Sequence, residues 1–215
     1  MNDYYYFNVK RKRPEETFNE VSEYYNEQTL SKYAKSKNMM RIQEKITIRA
    51  LEILELKKKR PLILDAGSGP GFAAVYLKEK GYRTIALDII SGFLYYYDIK
   101  DLNPIVADMC YSPFKYNSFD AIISISALQW IYRDLNNDFM KNRLINMAKS
   151  FYQILKPNHK VVIQFYPKSK EILESLIKII LNSTNFKGNL IIDNPNNPKK
   201  RKIFLELKKK IAFSK

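Results

Sequence analysis

From residue 39 onward the apolar positions of the chain fall into two kinds of pattern. Ile42, Ile46, Ala50 and Ile53 recur at steps of three and four, which places them on one face of a helix. That amphipathic helix is expected to end near the basic cluster at 57–60, where Pro61 stops it. Beyond Pro61 the pattern turns to short β-rich runs at 62–65, 84–88, 105–107, 119–124, 160–165, 189–192 and 202–207. Helix-sized or turn-rich connections separate the first five, the signature of a parallel sheet wound by crossovers. The last two runs are joined by a proline- and asparagine-rich stretch at 193–201 that reads as a hairpin loop. The expected fold is therefore α/β, a seven-stranded, mostly parallel sheet whose last strand is antiparallel. Residues 1–38 are polar, aromatic and charged without a clean period, so the expected organisation is an N-terminal arm and helix at 1–60 and a sheet domain at 61–215.

Composition narrows the function classes. Apolar residues make up 46% of 215 positions, enough for one sizeable core. The longest apolar runs, around 89–97 and 121–128, are far shorter than a bilayer-spanning helix, so no membrane association is expected. At the N-terminus aromatic residues precede basic ones, the reverse of a secretory signal, which points to a cytoplasmic location. A single cysteine, Cys110, and a single histidine, His159, leave no disulfide framework and no clustered zinc ligands, so no resident metal is expected. The net charge of +15 is uneven: residues 161–215 hold 12 basic and 4 acidic residues, whereas residues 61–160 hold 11 and 9. A nearly neutral centre with basic flanks suits a small-molecule pocket beside a gripped polyanion, for which nucleic acid is the commonest partner.

The chemistry concentrates where the first strand meets the next helix. Asp65-Ala66-Gly67-Ser68-Gly69-Pro70-Gly71 joins a predicted strand to a helical stretch at 72–80. Glycines at such a turn let a ligand approach the backbone, and the helix start offers unpaired amides. A dinucleotide fingerprint needs its third glycine at position 72, which is Phe72. The G-x-G-x-G form behind an acid is instead characteristic of S-adenosylmethionine sites. Asp88 ends the second predicted strand, where a carboxylate can accept ribose hydroxyls. Asp108 follows the third, where a carboxylate can accept from an adenine amine while the backbone of Met109 meets a ring nitrogen. Ser68 in the loop, Ile89 after Asp88 and Ser126 after the fourth strand complete the predicted cofactor set.

More specific strings lie downstream. Ser126-Ala127-Leu128-Gln129-Trp130, the preceding Asn117-Ser118-Phe119-Asp120-Ala121, and Gln164-Phe165-Tyr166-Pro167-Lys168 resemble the small-subunit ribosomal RNA guanine-N7 methyltransferases, a class I, Rossmann-like family. The helix containing Arg41-Ile42-Gln43-Glu44 and the opening Arg13-Pro14-Glu15 look similar too, so the likeness runs from about residue 13 to 207. Where that family has a glycine pair before the fifth strand, this chain has Asn158-His159, and asparagine tolerates the left-handed conformation. The resemblance implies S-adenosyl-L-methionine as cofactor and small-subunit ribosomal RNA or a pre-ribosomal particle as substrate. It further implies a small zinc-binding activator protein that adds a strand beside the third strand and covers the apolar 89–97 stretch.

Guanine N7 carries an in-plane lone pair and no proton, so its methylation needs no general base. No catalytic dyad is evident; the expected work is positioning of the base, by Trp130 and Tyr166 as stacking surfaces and by Gln129 or Gln164 at its edges. Lys199, Lys200, Arg201 and Lys202 in the last hairpin are the candidate phosphate contacts. Two other readings compete: a transfer-RNA or small-molecule methyltransferase sharing the cofactor half, and a ribosome assembly factor whose binding matters more than its catalysis.

Overall fold

The computed structural model describes residues 12–97, 102, 104–132 and 134–210. Seven strands form one sheet in the order β3-β2-β1-β4-β5-β7-β6: β1 Leu62–Ala66, β2 Arg83–Asp88, β3 Ile105–Val106, β4 Phe119–Ile125, β5 Leu155–Phe165, β6 Phe186–Asp193 and β7 Lys202–Lys209. The first five pair in parallel, and β7 inserts antiparallel between β5 and β6. All seven β-rich runs of the sequence are strands. The third is shorter than its apolar run, because Ala107 leaves the ladder and Asp108 starts a short 3-10 turn, Met109–Tyr111.

The order reverses between β1 and β4, so the carboxyl ends of β1, β2 and β4 open a crevice at the switch point. One layer packs β1, β4 and β5 against α3 (Lys37–Leu54) and α4 (Phe72–Glu79), with Ile46, Ala50, Ile63, Leu77 and Ile123 interlocked. The other face packs on α5 (Asp138–Ile154) and α6 (Lys170–Ser183), where Leu144, Met147, Phe151, Leu173 and Leu176 meet Ile122, Val161 and Ile163. Strands buried on both faces read as continuous apolar runs, which is why β4 is buried along its whole length.

Helix α3 ends at Leu54, short of the basic cluster expected to close it. Glu55 takes a left-handed conformation (φ 51°), and the chain turns away before Pro61 is reached. Asn158 does adopt the left-handed conformation, with φ 64°. The bottom of the sheet is tied by buried Asp120, which accepts from the Leu62 amide, Lys58 and Lys156, each at 2.8 Å. Ahead of α3, the arm forms a 3-10 turn, Pro14–Glu16, and two helices, α1 (Val21–Tyr24) and α2 (Glu27–Ala34). No helix among the described residues is long and apolar enough to cross a membrane.

Candidate functional site

The turn after β1 is built from backbone that only glycine adopts easily. Gly67, Gly69 and Gly71 have φ of 77°, 54° and 85°. At Gly67 space is limiting as well, since a Cβ would sit 2.4 Å from the Cβ of Ala127 and 2.8 Å from the Cε of Met109. The loop is clamped from below: the Tyr97 hydroxyl shares a 2.6 Å hydrogen bond with Ser68 Oγ and reaches the Gly69 carbonyl at 3.0 Å. Tyr97 is among the residues that sequence reasoning missed, because nothing in an apolar run marks one tyrosine as a loop clamp.

All nine residues expected from the sequence to hold a cofactor, Asp65, Gly67, Ser68, Gly69, Asp88, Ile89, Asp108, Met109 and Ser126, line one cavity at the carboxyl edge of the sheet. Their electrostatics differ. Asp65 is 1% exposed, and its Oδ2 has no hydrogen-bond partner. Burial, then the neighbouring Asp88 charge, raise its carboxyl to about 7, against a smaller opposing effect of the Ala74 amide. Asp88 is also pushed up by burial, opposed by backbone amides; its oxygens accept from Gly69 at 2.7 Å and Ile90 at 2.8 Å, which fixes the carboxylate plane and leaves lone pairs open. Asp108 caps the 3-10 turn through the Cys110 amide at 2.9 Å and pairs with Arg143 of α5 at 2.9 Å. Cys110 beside it is buried, and burial lifts its thiol to about 12, which suits a core residue and not a nucleophile.

The arm covers this cavity. Asn19, Glu20, Val21, Tyr25 and Tyr33 line it, and an aromatic chain links the arm to the sheet edge. Tyr25 lies 5.0 Å from Phe93 and 6.1 Å from Trp130, Tyr24 lies 5.7 Å from Trp130, and Tyr33 lies 5.8 Å from Phe72. The high tyrosine and phenylalanine content of the arm was the available signal for this roof, but without a period it gave no direction.

The four residues of the expected base-holding set separate. Trp130 reaches the cavity. Tyr166 stands outside its wall with Arg13 5.9 Å and Lys202 5.5 Å from its ring, and its carbonyl accepts from Tyr132 and Arg13. Gln129 is buried and gives its amide to the Ser126 carbonyl at 2.7 Å, leaving its Oε1 without a partner. Gln164 is wholly buried and spends its side chain on Ser126 Oγ and the Phe165 carbonyl, so the reading of Gln164 as a base contact is corrected: it fixes the turn after β4. In the last hairpin Lys199 and Lys200 are exposed, whereas the Arg201 guanidinium binds the Pro195 carbonyl and Lys202 lies over Tyr166. The 89–97 stretch is a 3-10 helix over Ser91–Tyr96 with Phe93 buried, while Ile89, Leu94, Tyr95 and Val106 of the adjacent edge strand are exposed. Among the described residues no cluster of histidine, cysteine and acidic side chains suits a metal ion.

The chain is similar to known proteins in sequence and in fold. Residues 64–163 match a methyltransferase domain family. The chain is 34% identical over 187 residues to the 18S rRNA (guanine-N(7))-methyltransferase of Bos taurus, covering 85% of this chain and 66% of the relative. It is 35% identical over 177 residues to the 18S rRNA (guanine(1575)-N(7))-methyltransferase of Saccharomyces cerevisiae, covering 80% and 64%. The chain thus spans just under two thirds of the length of these relatives. Among solved structures, phosphoethanolamine N-methyltransferase 2 of Haemonchus contortus, in complex with S-adenosyl-L-methionine, superposes with a TM-score of 0.66 at 17% identity over 87% of this chain and 58% of that one. At that identity the superposition speaks for the fold alone.

Proposed function

We propose that this chain, which belongs to the family of 18S ribosomal RNA guanine-N7 methyltransferases, transfers a methyl group from S-adenosyl-L-methionine to N7 of a guanine in small-subunit ribosomal RNA. The observation that carries the cofactor half is the unpartnered, buried Oδ2 of Asp65 in a cavity that also holds Asp88, Asp108 and the glycine turn. A buried acceptor without a donor is unfavourable in the empty protein and favourable once a cationic donor arrives, as the ammonium of an amino-acid tail would. Gly67, closed to any side chain, leaves its backbone bare to the ligand. Asp88 would take the ribose hydroxyls with the lone pairs its backbone amide donors leave open, and Asp108 the adenine amine.

When bound, S-adenosyl-L-methionine supplies an electrophilic methyl group. The residues of the chain bind, orient and exclude water. Trp130 at the cavity would stack the target base, with the arm helices closing above it; a flat aromatic surface suits a base taken out of its stack. No group need accept a proton from N7, so this wall has only to hold and orient the base. Tyr166 with Arg13 and Lys202, together with Lys199 and Lys200, would meet the flanking phosphates, since all lie toward the same sheet edge. The exposed apolar residues Ile89, Leu94, Tyr95 and Val106 beside the two-residue edge strand β3 support docking of a small zinc-binding activator protein by strand addition.

Product analysis decides the activity. Purified protein, with and without the activator, should place label from S-adenosyl-L-methionine on 7-methylguanosine in small-subunit RNA or a pre-ribosomal particle, at a rate nearly flat with pH across neutrality. Label on ribose, uridine or a protein would overturn the assignment.

A further inference from the structure

We infer that Arg143 is a positioning residue: it holds the Asp108 carboxylate in a fixed orientation and thereby makes the nucleoside pocket selective for an adenine amino group. The inference deepens the cofactor reading above and rests on it.

Two donors from different elements fix the carboxylate. The Cys110 amide, on the 3-10 turn, donates to Oδ1 at 2.9 Å, and the Arg143 guanidinium, on α5, donates to Oδ2 at 2.9 Å. A carboxylate offers about four acceptor directions, so two remain open. Both side chains are only about one fifth exposed and both line the cavity, which distinguishes this pair from a solvated surface pair worth little. The guanidinium also lies 6.0 Å over the Phe139 ring, and Glu20 of the arm lies within electrostatic reach of it.

A guanidinium in a nucleoside pocket would ordinarily suggest a phosphate ligand. Here it is committed to Asp108, and its effect on a ligand is indirect. An ionised carboxylate accepts and cannot donate, so the open lone pairs of Asp108 favour an exocyclic amine and repel a carbonyl oxygen at the same ring position. Arg143 stops the carboxylate from turning. Without it, Asp108 would keep only its contacts to Cys110 on the 3-10 turn and be free to rotate its outer oxygen away from the ligand.

The test compares S-adenosylhomocysteine with its purine-riboside analogue, which lacks the 6-amino group and keeps the ring nitrogens as acceptors, by calorimetry on the full chain. The native protein should prefer the adenine form by tenfold or more, the discrimination expected of one charge-assisted hydrogen bond. Arg143→Met should reduce that preference about tenfold, mostly by weakening the adenine form, and Arg143→Lys should restore part of it. If Arg143→Met weakens both ligands equally and leaves the ratio intact, Arg143 is merely structural and the inference is overturned. Asp108→Ala separates the two levels: a ratio that survives Asp108→Ala overturns the placement of adenine on Asp108, whereas a ratio lost in Asp108→Ala but kept in Arg143→Met removes Arg143 alone.

Discussion

Replacing Asp65 by asparagine should change the pH dependence of stability more than stability itself. Asp65 is wholly buried beside another carboxylate, and its carboxyl is raised from an ordinary 3.8 to about 7. A raised carboxyl binds a proton in the folded state that the unfolded chain has already released. Between pH 4 and 7 the folded form therefore holds more protons, and stability from this group falls as pH rises. Across that window the native protein loses about 4 kcal/mol, at about 1.4 kcal/mol for each pH unit that separates the folded from the unfolded titration. Asparagine keeps an acceptor for the Ala74 amide but never ionises, so it escapes this loss. Its amide adds an unmet donor costing about 1–3 kcal/mol at every pH. The variant should be equal to or less stable than the native protein at pH 4.5, and should gain on it by about 3 kcal/mol between there and pH 8.

Urea unfolding of both proteins at half-unit pH intervals, without cofactor, measures this. Cofactor should reverse the ranking at pH 8: the native carboxylate would then have a cationic partner, and asparagine would bind it at least tenfold more weakly. Binding to the native protein near pH 6.5 should also release a proton, visible as a dependence of the calorimetric heat on buffer ionisation enthalpy. Parallel stability curves for the two proteins across pH 4.5–8 would refute the electrostatic account of Asp65.

Other sites carry simpler expectations. Gly67→Ala combines a φ of 77° with a Cβ 2.4 Å from Ala127, so thermal or urea unfolding should show a loss of at least about 2 kcal/mol, together with weakened cofactor binding. Asp120→Ala should cost about 3 kcal/mol by stranding the Leu62 amide and two lysines. Those donors hold the Asp120 carboxyl well below the usual range, so its contribution is complete above about pH 4 and is lost as acid protonates it; a native-to-variant gap that stays constant from pH 7 to pH 2 would contradict this. Trp130→Ala should impair methyl transfer by roughly tenfold or more through lost stacking of about 1–3 kcal/mol, while calorimetric affinity for the cofactor stays within severalfold. A loss confined to cofactor affinity would place Trp130 in the arm's anchorage alone.

The parts of this molecule that could be read in advance are those governed by short-range rules. Alternating β-rich runs and helical spacing located all seven strands, and the glycine turn followed from backbone sterics at three neighbouring positions. The acids at 65, 88 and 108 were readable because a parallel sheet sends successive strand ends to one edge, so residues 23 and 20 apart in sequence meet in space. Asn158 was readable for the same local reason, its tolerance of a positive φ. Where the end of α3 was misplaced, the governing event was also local but carried no signal, since Glu55 adopts a left-handed cap that its residue type does not favour.

What stayed hidden depended on contacts between distant segments. Arg143 faces Asp108 only because α5 crosses back over the 3-10 turn, and an arginine on a helix with other exposed cations has no mark of that fate. Gln164 looked available because polar residues near a strand end usually face the crevice; in the folded chain its side chain completes the hydrogen bonds of Ser126, whose own φ of 56° needs such support. The arm is the largest case. Tyr24, Tyr25 and Tyr33 have no helical or strand period, yet they reach Trp130, Phe93 and Phe72 around the cavity. A segment whose apolar groups all belong to another element's surface has no period of its own to display, because periodicity records a segment's internal geometry and not the shape of what it covers. Aromatic density without period, next to a well-patterned domain that carries an open crevice, is thus itself a readable signature: it marks the segment that closes the crevice.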